Sequence, residues 1–120
     1  MGYEYGRGAE ILLARTRLGF TREEMTAAMR VRPQSYQRWE NGRDAIPSGI
    51  WDEVAKLQAH FDQQVERLVA EAAQVDGPHY VTVWRGASDH QPSPGLWLHI
   101  VAKAQEQAPN IVPRYPEDRD

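Results

Sequence analysis

The chain contains no cysteine, which excludes disulfides and thiolate-held metal and fits a reducing, cytoplasmic compartment. It has no apolar run of the roughly 18 residues that a membrane-crossing helix needs, so nothing in it is expected to span a membrane. The start, Met1 to Glu10, is rich in glycine and tyrosine and lacks the apolar core of a signal peptide. There is no internal repeat and no low-complexity tract. The four histidines, His60, His79, His90 and His99, are scattered, with no pair three or four residues apart. Without cysteines to help them they suggest no metal site. Ser88, Asp89 and His90 are consecutive in a polar loop, whereas a catalytic triad is assembled by geometry rather than adjacency. Neither a cofactor nor an enzymatic activity is expected.

What is present is an ordinary globular composition. The 120 residues are 41% apolar and 26% charged, enough for one compact unit or a small domain with an appendage. The net charge of -3 argues weakly against a nucleic-acid partner, but the charges are not evenly spread. From Arg15 to Arg43 there are seven arginines against three glutamates, a local +4. From Ser48 to Asp120 there are six basic and eleven acidic residues, a local -5. An acidic protein with one basic stretch can still present a cationic face to phosphate.

Periodicity and punctuation divide the chain. Residues 7–18 read as a first helix, with Ile11, Leu12, Arg15 and Leu18 at helical spacing and Gly19 as its stop. Thr21-Arg22-Glu23-Glu24 is a capping box that opens a short second helix with Met25, Ala28 and Met29 as its apolar stripe. Val31-Arg32-Pro33 is the turn. Pro33 suits the first position of a third helix, which runs to Asn41 and ends at Gly42. Arg43 to Pro47 is a linker. A long helix follows from about Ser48 to Gln74, with a stripe of Ile50, Val54, Leu57, Phe61, Val65, Leu68, Ala72 and Val75. After Asp76-Gly77-Pro78, residues His79–Trp84 read as a strand, Arg85–Gly95 as a loop, Leu96–Gln107 as a helix and Asn110–Tyr115 as a second short strand. The tail, Pro116–Asp120, is expected to be disordered.

Two short helices joined by a tight turn form a helix-turn-helix unit. Its second helix must be polar and basic on one face to enter a major groove about 12 Å wide. Arg32, Gln34, Ser35, Gln37 and Arg38 supply that face. Gln pairs bidentately with adenine, and Arg does the same with guanine. Tyr36 and Trp39 are expected to pack inward. Thr21 and Arg22, at the start of the second helix, offer amides and a cation to phosphate.

The run Leu18-Gly19-Phe20-Thr21-Arg22-Glu23-Glu24-Met25, followed by Val31 and by Ser35-Tyr36-Gln37-Arg38-Trp39-Glu40-Asn41-Gly42-Arg43, resembles the phage-repressor-like (Cro/CI, XRE) helix-turn-helix family. The longer run Ser35 to Pro47, the long helix and the α/β tail resemble the anti-CRISPR-associated autorepressor, YdiL-like branch. The resemblance implies a dimer on an inverted repeat that represses its own operon. It also implies roles for individual residues. Arg32, Gln34, Ser35, Gln37 and Arg38 would contact bases and phosphates, as would Thr21 and Arg22 at the phosphates. Asn41 and Arg43 would contact the backbone after the recognition helix. Arg15 and Glu40 would form a partly buried ion pair fastening the first helix to the third. Three residues depart from the family pattern. Arg32 stands where Ser or Thr caps the recognition helix, and Pro33 stands where a base-reading side chain is common. Arg30 replaces a turn glycine, which predicts a positive φ at a non-glycine residue.

The fold class expected is therefore mainly α with a small α+β C-terminal part. The predicted divisions are residues 1–47 as the helix-turn-helix domain, 48–76 as the long amphipathic helix, 77–115 as a strand–helix–strand dimerisation segment, and 116–120 as a tail. The long helix spans roughly 40 Å at 1.5 Å per residue, more than a three-helix head could cover. Its stripe, with Phe61, Val65 and Leu68, is thus expected to meet a second copy, sealed by Trp84 and Trp97. The leading expectation is a homodimeric, sequence-specific repressor on double-stranded DNA. The alternative is an antitoxin-type module that holds a protein partner through the segment after Ser48. RNA is a third possible partner, although Tyr36 and Trp39 look buried rather than available for stacking.

Overall fold

The computed structural model describes residues 3–118. Its elements in chain order are β1 (Tyr3–Glu4), α1 (Gly8–Leu18), α2 (Arg22–Met29), α3 (Pro33–Glu40), β2 (Ile46–Pro47), α4 (Ile50–Ala73), β3 (His79–Thr82), α5 (Pro94–Gln107) and β4 (Ile111–Arg114). The chain forms two compact units, Met1–Ala59 and His60–Asp120. The division falls inside α4, so the long helix belongs partly to each.

In the N-terminal unit the helices begin and end where local chemistry requires. Gly19 closes α1 in the left-handed region at φ 79°, returning its amide to Arg15 O and Thr16 O, a conformation glycine adopts without steric penalty. The Thr21 hydroxyl accepts from the Glu24 amide at 3.1 Å and the Glu24 carboxylate accepts from the Thr21 amide at 2.7 Å. This reciprocal pair satisfies two of the free amides at the start of α2. Arg30 ends α2 at φ 58°, the single left-handed non-glycine residue among those described. Pro33 opens α3, and Arg32 before it makes no side-chain cap.

The core of this unit comes from Ile11, Leu18, Met25, Met29, Tyr36, Trp39 and Ile46, all buried. Two sequence expectations need correcting. Leu12 is 41% exposed, because the inward face of α1 runs through Ile11, Ala14 and Leu18. Ala28 is also exposed, and Thr26 is buried in its stead, with its hydroxyl donating to Glu23 O at 2.9 Å.

The segment read as a linker contains a strand. β2 pairs antiparallel with β1, Tyr3 opposite Pro47 and Glu4 opposite Ile46. A proline has no amide to donate to a ladder, and a two-stranded sheet tolerates it because each strand is an edge. Gly8 permits a close approach of α1 to the end of α3: a Cβ there would lie 2.7 Å from Trp39 O and 2.8 Å from Glu40 O. α1 can therefore seat against the end of α3 only through a residue without a side chain.

The C-terminal unit is a strand–helix–strand arrangement. β3 pairs parallel with β4, His79 opposite Ile111 through Thr82 opposite Arg114, and α5 makes the connection. Such parallel pairing requires a crossover of this kind. Pro94 starts α5 at its first turn. The Trp97 indole N–H donates to Thr82 O at 2.7 Å, tying α5 to β3. The Asn110 side-chain amide donates to Ala72 O at 2.9 Å and Gly77 O at 3.1 Å, giving the Ala72 carbonyl a second donor beside the Val75 amide at 3.2 Å and tying the end of α4 to the turn before β4.

The apolar stripe of α4 is covered differently from the sequence expectation. Phe61, Val65 and Leu68 are 5%, 4% and 3% exposed, buried by their own chain together with Val81, Val83, Ile100, Val101, Ala104 and Ile111. Their apolar area is already used, so these three are not a surface left for a second copy. An apolar stripe marks which face of a helix is buried and not what buries it, and here the segment after Gly77 supplies the cover. Trp84 and Trp97 are half-buried. The tail expectation also changes. Asp118 closes a turn onto Tyr115, its amide donating to Tyr115 O at 3.0 Å and its carboxylate accepting from the Tyr115 amide at 2.9 Å. Arg119 and Asp120, the rest of that tail, lie outside the described residues.

Candidate nucleic-acid interface

The helix α3 has two faces set by its spacing. Tyr36, Trp39 and Glu40 point inward, with Tyr36 and Trp39 in edge-on contact at 6.0 Å between ring centroids. Gln34, Gln37, Arg38 and Asn41 fall three or four residues apart on the opposite face, and all four are exposed. Arg32 and Arg43, at the two ends of the helix, are exposed as well, whereas Ser35 is half-buried at the side. Thr21 and Arg22 are exposed at the start of α2. The Thr21 hydroxyl accepts from the Glu24 amide, which leaves its own O–H to donate to an anion, whereas the Thr21 main-chain amide is taken by the Glu24 carboxylate.

The face is held in place from behind by a charge cluster. Glu40 has a side chain only 3% exposed and Arg15 one 17% exposed. Arg15 Nε and Nη2 donate to the two Glu40 oxygens at 2.6 and 3.2 Å, and Arg15 Nη1 donates to Phe20 O at 3.1 Å. One carboxylate thus fastens α3 to α1 and, through Phe20, to the turn between α1 and α2. Arg22 Nε also reaches Glu40, at 3.2 Å. Burial alone would push the Glu40 carboxyl up, but Arg15, with Tyr36 and then Arg22 beside it, outweighs it and holds the group below the usual carboxylate range. Burial, followed by the adjacent Glu40 carboxylate, pushes the Tyr36 phenol up, which keeps it neutral.

The expected residues do not all sit alike. Gln34, Gln37, Arg38, Asn41, Arg32 and Arg43 share α3 or its ends. Arg22 stands apart, half-committed to Glu40 with its side chain 47% exposed. Sequence reasoning missed Asp44, whose carboxylate lies 2.8 Å from Arg38 Nε. It also missed Tyr5, which is 79% exposed and shares with Ser35, Trp39, Arg43, Asp44, Ala45 and Pro47 an open cleft of about 460 Å³. Only the pairing of β1 with β2 brings Tyr5 there, and a ladder of two residues leaves no periodic trace in the sequence.

Residues 11–57 match the family described as Helix-turn-helix. The match covers α1 from Ile11 onward, α2, α3, β2 and the first turns of α4. It supports kinship with the Cro/CI (XRE) type, and with it DNA binding and transcription regulation as the class of activity. No curated protein and no solved structure matches the chain. Among the described residues no helix is long and apolar enough to cross a membrane.

Proposed function

We propose that the chain is a cytoplasmic, sequence-specific transcription repressor that binds an inverted-repeat operator as a homodimer and controls its own operon, as in the anti-CRISPR-associated branch it resembles. The observation that carries this reading is the outward face of α3, where Gln34, Gln37, Arg38 and Asn41 are all exposed on a helix clamped from behind by Arg15 and Glu40. Gln34, Gln37 and Arg38 read base edges, while Arg22, Arg32, Asn41, Arg43 and the Thr21 hydroxyl hold phosphates. Ser35, at the side of the helix, serves the backbone. Pro33 at the entrance contributes no hydrogen bond, so readout there is apolar.

A palindrome requires two copies. Two-fold symmetry then sets two α3 helices about one helical turn, roughly 34 Å, apart along the duplex. The C-terminal unit is the proposed seat of that symmetry. Parallel sheets are as a rule covered on both faces, and in this unit only one face is filled, by Val81 and Ile111. Tyr80 and Val112, opposite each other in register, are 43% and 37% exposed on the other.

The test is a binding selection from a pool of random duplexes with the full chain. An enriched inverted repeat is the expected result, and its affinity falls steeply with salt as phosphate counterions are released. Enrichment of no palindrome sinks the reading.

A further inference from the structure

We infer that Asp44 is a specificity-determining positioning residue: it holds the Arg38 guanidinium from the side so that its far end reads a guanine. The inference rests on the DNA-binding reading above. The geometry that points to it begins with the end of α3. Gly42 turns the chain in the left-handed region at φ 75°, and the amides of Arg43 and Asp44 both return to Arg38 O, at 2.9 and 3.3 Å. The backbone of Asp44 is thereby fixed one turn beyond Arg38, back over the same residue. From there its carboxylate meets Arg38 at Nε, 2.8 Å away.

Two features separate this contact from a stabilising ion pair. Both side chains are open to solvent, 58% for Arg38 and 44% for Asp44, and such pairs add little to folding. An acid on a surface meant for phosphate also repels the ligand, so Asp44 weakens DNA binding unless it does something else. What it can do is set a rotamer. Arg carries a long flexible stem, and the guanidinium fork is most selective when presented in one orientation. An acid seated on the Nε side does not compete for the Nη1/Nη2 end, which is the fork that guanine O6 and N7 take bidentately. Asp44 thus exchanges raw affinity for discrimination.

The experiment compares four full-length proteins, wild type, Asp44→Ala, Arg38→Ala and the double variant, each selected against the same random duplex pool and then titrated on the enriched duplex and on its single-base variants. The expected result is that Asp44→Ala keeps its melting temperature, binds unrelated duplex more tightly, and loses at least about fivefold discrimination at one base pair. That pair should be the one at which Arg38→Ala also loses its preference, and Asp44→Ala should cause no further loss of preference in the Arg38→Ala background. If Asp44→Ala discriminates as well as wild type, or if its loss persists without Arg38, the inference is overturned while DNA binding stands. If wild type itself prefers no duplex, the DNA-binding reading fails first.

Discussion

At the scale of single residues, the chain depends on Glu40 more than its surface position in a short helix suggests. Its carboxylate is nearly sealed and has two arginines on it. Because the folded state holds the group below its unfolded value, near 4.3, ionised Glu40 stabilises the fold at all higher pH. That contribution shrinks as pH falls through the depressed folded value, so the melting temperature should decline on acidification below about pH 4.5. Glu40→Gln should flatten that part of the pH profile and, by leaving Arg15 without its counter-charge, lower stability by about 3 kcal/mol in urea unfolding. A flat wild-type profile through this range would show that the pair is not what fastens α3. Gly8 is the other residue with no substitute. The methyl group of Gly8→Ala would meet two backbone carbonyls below van der Waals distance, and neither can move without moving the end of α3. A loss of about 1–3 kcal/mol is expected, with weaker binding to any duplex because the reading face tilts. Resemblance to the helix-turn-helix family made the Arg15–Glu40 pair legible in the sequence. The role of Gly8 was not legible, since a glycine in the first turn of a helix has no visible purpose until the facing backbone is known.

At the scale of elements, the helices were readable because each carries its own start and stop. Thr21 and Glu24, Pro33, Gly19 and Gly42 act within a few residues, so the sequence alone locates them to within a residue or two. β1 and β2 were not readable, because a two-residue strand is defined by its partner some forty positions away rather than by its own pattern. The apolar stripe of α4 is buried from Phe61 to Ala72 but Val75 at its end is 37% exposed, and periodicity says which face is buried and not what buries it. The turn between α2 and α3 combines two local departures: Arg30 holds φ 58° without being glycine, and Arg32 leaves α3 uncapped. A left-handed conformation costs an L-residue about 1–2 kcal/mol, part of which glycine gives back as unfolded-state entropy. Arg30→Gly should therefore stabilise the protein by about 0.5–1 kcal/mol and leave duplex affinity little changed, as read by thermal melting and a binding titration on the same preparation. A drop in stability would mean that the arginine side chain itself secures the turn.

At the scale of the whole molecule, the uneven charge sorts the surfaces. The basic stretch from Arg15 to Arg43 contains every residue assigned to DNA, while the acidic remainder from Ser48 onward repels the duplex and is suited to protein contact. If two copies meet through the C-terminal unit, the meeting surface has to be apolar within that acidic half, and Tyr80 with Val112 is such a place. Arg114 lies over the Tyr80 ring at 3.9 Å, so a glutamate at position 80 would keep a partner for that cation while placing a charge in the middle of the proposed contact. Tyr80→Glu alters a side chain that is 43% exposed, and the single chain should melt as before. In sedimentation equilibrium the variant should have the mass of one chain at concentrations where wild type has the mass of two. On a full inverted repeat its affinity should fall to that for an isolated half-site, while binding to unrelated duplex changes little, because the α3 face is untouched. A variant that remains dimeric would place the two-fold axis elsewhere than on the sheet. A wild type that sediments as one chain, yet still selects an inverted repeat, would mean that the operator rather than the protein brings the two copies together.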